Sequence, residues 1–432
     1  MPGQIYVDLA NERGEVVEIT ADGWRVITDA PVPFLRPQGM QALPTPQKGG
    51  SISQLRSLVN LPEEDHFTLI LAWLVAAFRS DQQHPVVGIG GGEGSAKTAL
   101  GTILQDLIDP NYAALGPLPR SSLELRRAAD NRYLLLFDNI SALPTATSDE
   151  LCRQATGSRA RPIILNGIED VVTRPDLAER CLFINCALIS DDRRRTDDDI
   201  RTAFVTARPQ ILGVLYDAVS HGLKMLPQTK LDEMPRMADF SRWATACEGS
   251  LLWPNGAFQP AYQRNRVEAV EKVVEADPIA LAVQALIEER GGGWVGTASQ
   301  LDGALQQADS QAKYRPTAAR ALSGRLRRIL TSLLKLGIQV EFLREGHDRS
   351  RVIRIFRLTA VSDERASAPS APSAPSARPL GQGASQTPVE PKPGAGQPNA
   401  RQPVLGPGAK VAGTATKPTT QLSGTPDRTT QK

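Results

Sequence analysis

A glycine-rich stretch at residues 86–98 constrains the fold of this chain more than any other feature. It begins with an apolar run of strand length and ends with a Lys-Thr pair. The spacing fits the phosphate-binding template G-x-x-x-x-G-K-[S/T] at Gly91, Lys97 and Thr98, with Ala96 in place of the second glycine. A strand, a tight anion-binding turn and a helix are therefore predicted in succession.

The chemistry of such a turn explains its residue types. Successive backbone N–H groups surround phosphate oxygens, the lysine balances their charge, and the hydroxyl binds Mg²⁺. Apolar residues at helical spacing follow over 100–108, and the dipole of that helix adds to anion binding. We therefore predict ATP and Mg²⁺ as ligands. The residues predicted to contact the nucleotide are Gly91, Gly92, Glu93, Gly94, Ser95, Ala96, Lys97 and Thr98.

Two other interpretations of the glycines are weighed against this one. A dinucleotide fingerprint, G-x-G-x-x-G starting at Gly88, fails because Glu93 stands where its third glycine belongs. The second is a glycine-rich turn that binds no ligand. Ala96 adds little strain if its backbone is helical, whereas a positive φ there costs about 1 kcal/mol or more.

Strand-length apolar runs alternate with helical patterns after residue 50. The runs lie at 86–89, 133–137, 163–165 and 181–184. Strands separated by helices form a mostly parallel sheet, so we predict an α/β P-loop NTPase core with flanking helices over residues 51–199. The other predicted segments are a small β-rich N-terminal segment (1–50), a helical region (200–276), a basic winged-helix domain (277–360) and a disordered Pro/Ser/Ala/Gly-rich tail (361–432).

Polar residues follow two of the predicted strands. Asp138 ends the second strand, where a carboxylate can complete the Mg²⁺ shell together with Thr98, although it could equally cap the strand. The next residue, Asn139, can orient water but cannot accept its proton, so either hydrolysis is slow or another group serves as the base. Asn166 ends the third strand and is predicted to contact the γ-phosphate or the attacking water. A turn-forming Asn before a glycine is the alternative.

Two arginines precede the last predicted strand. Arg180 is predicted to reach the γ-phosphate of a neighbouring subunit and stabilise developing charge there, which implies a homo-oligomer. Arg174 is a weaker candidate for the same role. The alternative for either residue is a surface salt bridge. The mixed charges at 191–201 are interpreted as the solvated start of a helix.

The segment 315–357 is strongly basic, with eleven Lys and Arg residues against three acids. Its helix at 321–330 is apolar on one face and cationic on the other, a pattern suited to DNA phosphates. A basic solvated face or a docking surface for another protein remains open. The predicted nucleic-acid contacts are Arg320, Arg325, Arg327, Arg328 and Lys335.

The remaining features of the sequence argue against a metal-binding, membrane-spanning or secreted protein. The net charge of the 432 residues is only +2, and none of the four cysteines forms a CxxC pair or stands at metal-ligand spacing from a histidine. The most apolar run, residues 67–78, is too short to cross a bilayer and is predicted to be a buried helix. No secretory leader is visible at the N-terminus. We expect a cytoplasmic protein with reduced thiols and no membrane contact.

Motifs in the predicted core resemble the ATPase modules of phage, plasmid and integrative-element primase–helicase proteins, which belong with superfamily 3 helicases and their AAA+ relatives. The segments that carry the resemblance are 94–98 (Gly-Ser-Ala-Lys-Thr), 137–143 (Phe-Asp-Asn-Ile-Ser-Ala-Leu), 161–170 (Arg-Pro-Ile-Ile-Leu-Asn-Gly-Ile-Glu-Asp), 235–240 and 261–265. They occur in order across roughly residues 5–358. The resemblance implies an AAA+-like fold, ATP hydrolysis and a helicase-like role on DNA during replication of a mobile element. In such relatives the Ala before the lysine is usual and the Asn after the strand Asp is common.

Two departures from the family pattern bear on function. Relatives usually carry a hairpin-sized segment where only residues 158–160 stand between Gly157 and Arg161, and in the wider clade such a hairpin grips DNA. Longer relatives also have a primase-like region before the part that begins near Ile5, so primer synthesis is not expected. A DNA-binding or loading factor that hydrolyses little ATP is therefore the second hypothesis, and a defective remnant is the third.

Overall fold

The computed structural model describes residues 3–112, 116–167, 172, 174–251, 253–308, 314, 318–345 and 350–358. The predicted disordered tail (361–432) lies outside the described residues. Ten strands are described: β1 (Ile5–Asp8), β2 (Val16–Thr20), β3 (Gly23–Ile27), β4 (Val86–Gly90), β5 (Leu135–Ile140), β6 (Ile163–Gly167), β7 (Cys181–Asn185), β8 (Gly293–Gly296), β9 (Ile338–Glu345) and β10 (Ser350–Arg357). Twelve α-helices are described: α1 (Ser53–Arg56), α2 (Glu64–Ala77), α3 (Lys97–Ile108), α4 (Ser122–Asn131), α5 (Thr145–Thr156), α6 (Pro175–Ala178), α7 (Asp197–Met225), α8 (Ala238–Cys247), α9 (Phe258–Ala276), α10 (Pro278–Glu289), α11 (Ala298–Ala308) and α12 (Ala319–Lys335).

The central sheet consists of four parallel strands in the order β5-β6-β4-β7. This agrees with the predicted parallel α/β core. Strand β5, which carries Asp138, is not next to β4, because β6 lies between them. Crossover helices in a parallel sheet allow sequential strands to be placed apart, so the order could not be read from the runs themselves. Asn166 thereby occupies the strand between the glycine-rich loop and Asp138.

The N-terminal strands form an antiparallel sheet, β1-β2-β3, as the short runs predicted. Its apolar face packs against helices. Val17, Ile19 and Trp24 belong to one buried cluster with residues of α2, α7 and α8. The Trp24 indole N–H also donates to Asp217 Oδ1 on α7 at 2.8 Å. The N-terminal segment is therefore a layer packed against the helices rather than a separate core.

Helix α2 is buried on nearly all sides, as predicted for the apolar run at 67–78. The Trp73 side chain is fully buried and donates its indole N–H to the Pro85 carbonyl at 2.9 Å, immediately before β4. Trp243 and Tyr262 are buried as well. Within the described part of the chain, no helix combines the length and apolar character needed to cross a membrane.

The C-terminal part, as far as it is described, contains three helices and three strands. Helices α10, α11 and α12 are followed by the hairpin β9–β10, and β8 adds to its β10 edge. β8 contains two glycines among four residues, so its sequence did not resemble a strand. Leu322, Leu326 and Ile329 of α12 face a core of their own with Ile353 and Ile355.

His84 lies just before β4, and the pH dependence of stability tests whether its side chain is buried. Its side chain is fully buried and lies edge-on to the Tyr133 ring, and burial lowers the pKa of His84 to about 4. As the pH falls below 6.5, His84 is protonated in the unfolded chain but stays neutral in the folded chain. The unfolding free energy that depends on the neutral imidazole is therefore lost between pH 6.5 and pH 4. Between pH 7 and pH 5 we expect the unfolding free energy to fall by about 2 kcal/mol more than in His84→Gln, measured by urea titration. Equal losses in the two proteins would contradict this assignment.

Candidate functional site

The glycine-rich loop (residues 91–96) joins the end of β4 to the start of α3, as predicted. Gly91 has a φ of +138°, and a Cβ there would lie 2.4 Å from the Cys186 carbonyl oxygen and 2.8 Å from Ser95 Oγ. Gly94 also has a positive φ, +74°. Only glycine combines this backbone with so close an approach at residue 91. The turn is therefore held tightly against the segment that follows β7.

Ala96 adopts the strained one of its two predicted conformations. Its φ of 63° and ψ of 30° are left-handed, at the residue immediately before α3. For a residue with a Cβ this conformation is disfavoured by about 1–2 kcal/mol. Left-handed backbone at a loop aimed at a ligand is a known location of stored strain. The glycine of the template would have avoided this strain.

Lys97 folds back over the loop. Its Nζ donates to the carbonyl oxygens of Gly91 and Gly92, each at 2.7 Å. Ser95 is buried and its hydroxyl donates to the same Gly92 carbonyl at 2.8 Å. The ammonium group thus lies at the mouth of the turn, together with the first backbone N–H groups of α3, which have no acceptor inside the helix.

Three polar side chains meet beside the start of α3. The Thr98 hydroxyl donates to Asp138 Oδ2 at 3.3 Å, and the Asn166 amide N–H₂ donates to Thr98 Oγ1 at 3.3 Å and also to Asp138 Oδ1. Asn166 is 2% exposed, and its Oδ1 has no hydrogen-bond partner among the described residues. The structure therefore brings together three of the residues that were predicted from separate motifs.

Asn139 departs from the expected geometry. Asp138 and Asn139 were expected at the end of a strand, but β5 runs on to Ile140, and its register with β6 shifts between Phe137 and Ile140. Asn139 absorbs that shift with a φ of +54°, and its side chain is exposed. Asn is among the residues that tolerate this backbone, which explains an Asn here without catalysis.

Arg180 and Arg174 both have partners within the chain. Arg180 lies between α6 and β7, and its guanidinium donates to Asp176 Oδ1 at 2.5 Å with only 14% of the side chain exposed. Arg174 pairs with Asp149. The contacts present in a single chain are thus those of the salt-bridge alternative. A role for either arginine in a neighbouring subunit stays a prediction.

Two residues at the loop were missed by the sequence analysis. Asn60 Nδ2 donates to the Ser95 carbonyl at 3.0 Å and to the Ala187 carbonyl at 2.5 Å, so it ties the loop to the segment after β7. Arg194 Nη2 lies 3.3 Å from the position that a Cβ on Gly94 would take. Its Nε is 3.2 Å from Asp191 Oδ1, in an exposed pair. The mixed charges around Arg194 resembled any solvated helix start, so no sequence pattern marked it.

The five cations predicted to contact nucleic acid divide into two groups. Lys335 Nζ donates to Glu179 Oε1 of the core at 3.1 Å, Arg325 lies 3.7 Å from Asp277, and Arg327 lies over the Phe342 ring at 3.8 Å. Arg320 and Arg328 are exposed on α12, with no ion pair to another described residue. Two of the five cations, Lys335 and Arg325, thus have carboxylate partners within the chain, and the role of all five in binding nucleic acid stays a prediction.

Two protein-family models match this chain. Residues 52–250 match the family described as actinomycete integrative conjugative element replication protein, AICE RepA, and residues 279–373 match the AICE RepA C-terminal domain. The segment with the parallel sheet and the C-terminal segment thus each match an AICE RepA model. The AICE RepA match spans the glycine-rich loop, Asp138 and Asn166, and the match to its C-terminal domain includes α12 and the hairpin. A search of curated proteins finds no significant match.

Solved structures show only distant similarity to this AICE RepA-like chain. The apo structure of the NrS-1 C-terminal region is 12% identical with a TM-score of 0.37, covering 78% of this chain and 81% of its own. The Thermotoga maritima RuvB Holliday junction branch migration motor is 15% identical with a TM-score of 0.25, covering 71% and 94%. The JCV helicase is 12% identical with a TM-score of 0.23, covering 50% and 72%.

Proposed function

We propose that this protein is an ATP-binding, Mg²⁺-dependent P-loop ATPase that acts on DNA in the replication of an integrative element. The observation that carries the proposal is the meeting of Thr98, Asp138 and Asn166 beside a glycine-rich loop closed by Lys97. The match to a replication-protein family over residues 52–250 supports the same role.

Each residue of the site has a role in this proposal. Lys97 and the backbone N–H groups of the loop hold the β- and γ-phosphates. Asn166 orients the γ-phosphate or the attacking water from its buried position between the loop and β5. Arg180 acts on the site of a neighbouring subunit in a homo-oligomer, after exchanging its bond to Asp176 for a phosphate.

The donor set at the loop fits Mg²⁺. A hydroxyl and a carboxylate, from Thr98 and Asp138, are hard oxygen ligands, and the magnesium of nucleotide sites takes few protein ligands because water and phosphates supply the rest. Bound there, Mg²⁺ would neutralise charge that develops on the phosphates.

Two observations favour a second candidate function, a nucleotide-dependent DNA-binding or loading factor that hydrolyses little ATP. The residue after Asp138 is Asn139, an exposed amide that cannot serve as the base. The resemblance to primase–helicase modules also implies a hairpin-sized segment where this chain has only residues 158–160 between Gly157 and Arg161. The four strands of the central sheet are hydrogen-bonded to one another, which favours either of these functions over a defective remnant.

ATP turnover with and without single-stranded DNA tests the proposal, and unwinding of forked DNA separates the two functions. A DNA-stimulated ATPase that unwinds a fork would support the helicase-like function. ATP-dependent DNA binding without turnover or strand separation would support the loading factor. A well-folded protein that binds no ATP in the presence of Mg²⁺ would refute both functions.

Arg194 is a proposed further contact of the nucleotide. Its guanidinium adjoins Gly94 of the loop and has only an exposed carboxylate, Asp191, as a competing partner. Loss of one charge-assisted contact in Arg194→Ala should weaken ATP binding about 5- to 10-fold, measured by titration calorimetry. Arg193→Ala is the matched control, since Arg193 is the exposed neighbour. Unchanged affinity in Arg194→Ala would remove Arg194 from the site.

A further inference from the structure

The β9–β10 hairpin places two arginines face to face. In the register of the two strands, Arg351 lies directly opposite Arg344, and both side chains are exposed. Directly opposed side chains have Cβ atoms about 5 Å apart, and like charges in such pairs destabilise the sheet. A hairpin that retains this pair carries a repulsion that an anionic partner would relieve.

The repulsion is not relieved within the described part of the chain. Neither Arg344 nor Arg351 forms an ion pair with a described residue. The opposite face of the same hairpin shows the usual solution, since Arg354 lies opposite Glu341 and is 3.9 Å from its carboxylate. The hairpin thus has a neutralised Arg–Glu pair on one face, and on the other face two opposed arginines next to the apolar pairs that pack against α12.

A third arginine, on α12, lies over the same face of the hairpin as the opposed pair. Phe342 and Ile353 form the pair next to Arg344 and Arg351 on the same face, because side chains alternate between the faces of a strand. The Arg327 guanidinium lies 3.8 Å from the centre of the Phe342 ring and forms no ion pair among the described residues. Stacking on the ring holds its planar group while its N–H groups remain available.

We infer that Arg327, Arg344 and Arg351 form a binding site for the phosphate backbone of duplex DNA, here called the arginine triad. This inference rests on the proposed DNA role and moves its centre from α12 to the hairpin. Planar guanidinium groups match phosphate oxygens in pairs, and a hairpin beside a helix offers cations on two elements to successive phosphates. Contacts of this kind position the duplex and carry no base preference.

The test uses the full-length chain and a fluorescein-labelled 30-base-pair duplex of mixed sequence, with anisotropy measured from 50 to 200 mM KCl. In Arg344→Ala/Arg351→Ala we expect affinity to fall about tenfold or more, and the slope of log affinity against log salt to become shallower by about two. Arg354→Ala is the matched control on the same strand and should change neither quantity by much. Thermal melting should show the double variant to be no less stable than the wild type, since a repulsion has been removed.

Other outcomes separate this inference from the proposed function. If Arg320→Ala/Arg328→Ala weakens binding while Arg344→Ala/Arg351→Ala leaves affinity and slope unchanged, the DNA site lies on α12 and the arginine triad is overturned. If the wild type binds no duplex at any salt concentration, the arginine triad and the DNA role both fall. ATP titration of the same sample then decides whether the nucleotide site stands alone.

Discussion

Lys97→Ala is expected to weaken ATP binding about 100-fold or more, so that titration calorimetry at micromolar protein detects no heat of binding. The Lys97 ammonium now donates to the Gly91 and Gly92 carbonyls, and the bound phosphates would take over these donors. Hydrogen bonds between charged groups contribute about 1.5–3 kcal/mol each, and two of them account for a factor of this size.

The control for Lys97→Ala must exclude damage to the loop. Lys224→Ala removes an exposed ammonium from α7 and should leave ATP binding unchanged. Circular dichroism and thermal melting of both variants should match the wild type, because Ser95 and Asn60 hold the loop without help from Lys97. Normal ATP affinity in folded Lys97→Ala would refute the whole assignment of the site.

The site could be predicted largely because its parts are local motifs. The strand, the turn and the helix around Gly91 and Lys97 follow from thirteen consecutive residues, and their ligand chemistry follows from the template. Asp138 and Asn166 were predicted as polar residues near the ends of buried strands. Their meeting at Thr98 depends on the strand order, which local patterns do not contain.

The residues that were missed act through tertiary contacts. Asn60 reaches Ser95 and Ala187, which lie 35 and 127 residues away along the chain. Arg194 approaches Gly94 only because β7 lies beside β4 in the sheet. Such contacts leave no periodicity or spacing in the sequence. An arginine in a run of mixed charges has the same sequence pattern whether it lies on a solvated surface or beside a binding site.

For the same reason, charge patterning did not show which cations of α12 have carboxylate partners within the chain. The helix was read as cationic on one face, but Lys335 pairs with Glu179, which precedes it by 156 residues. The cross-strand register that opposes Arg344 to Arg351 was equally invisible, because a hairpin fixes its register through turn geometry and the buried face. Total charge over 315–357 therefore indicated a basic surface without locating it.

Asp138→Asn is expected to abolish the Mg²⁺-dependence of nucleotide binding and to lower any ATP turnover about 100-fold or more. The substitution preserves the shape of the side chain and an oxygen that can accept from Asn166, so the fold should be retained. It removes the negative charge of a proposed metal ligand, and a neutral amide oxygen holds Mg²⁺ far more weakly. ATP affinity measured with EDTA should therefore equal that of the wild type, while the gain on adding Mg²⁺ should disappear.

This pairing of measurements distinguishes a metal ligand from a strand cap. If Asp138 only satisfied Thr98 and Asn166, the asparagine variant would alter stability and leave the response to Mg²⁺ intact. Asp65→Asn is the matched control, because Asp65 pairs with Arg264 away from the loop. A full Mg²⁺ response in Asp138→Asn, with turnover unchanged, would assign the carboxylate to structure. Loss of the response in Asp138→Asn and not in Asp65→Asn would make a structural origin untenable, because both variants remove one charge from the chain.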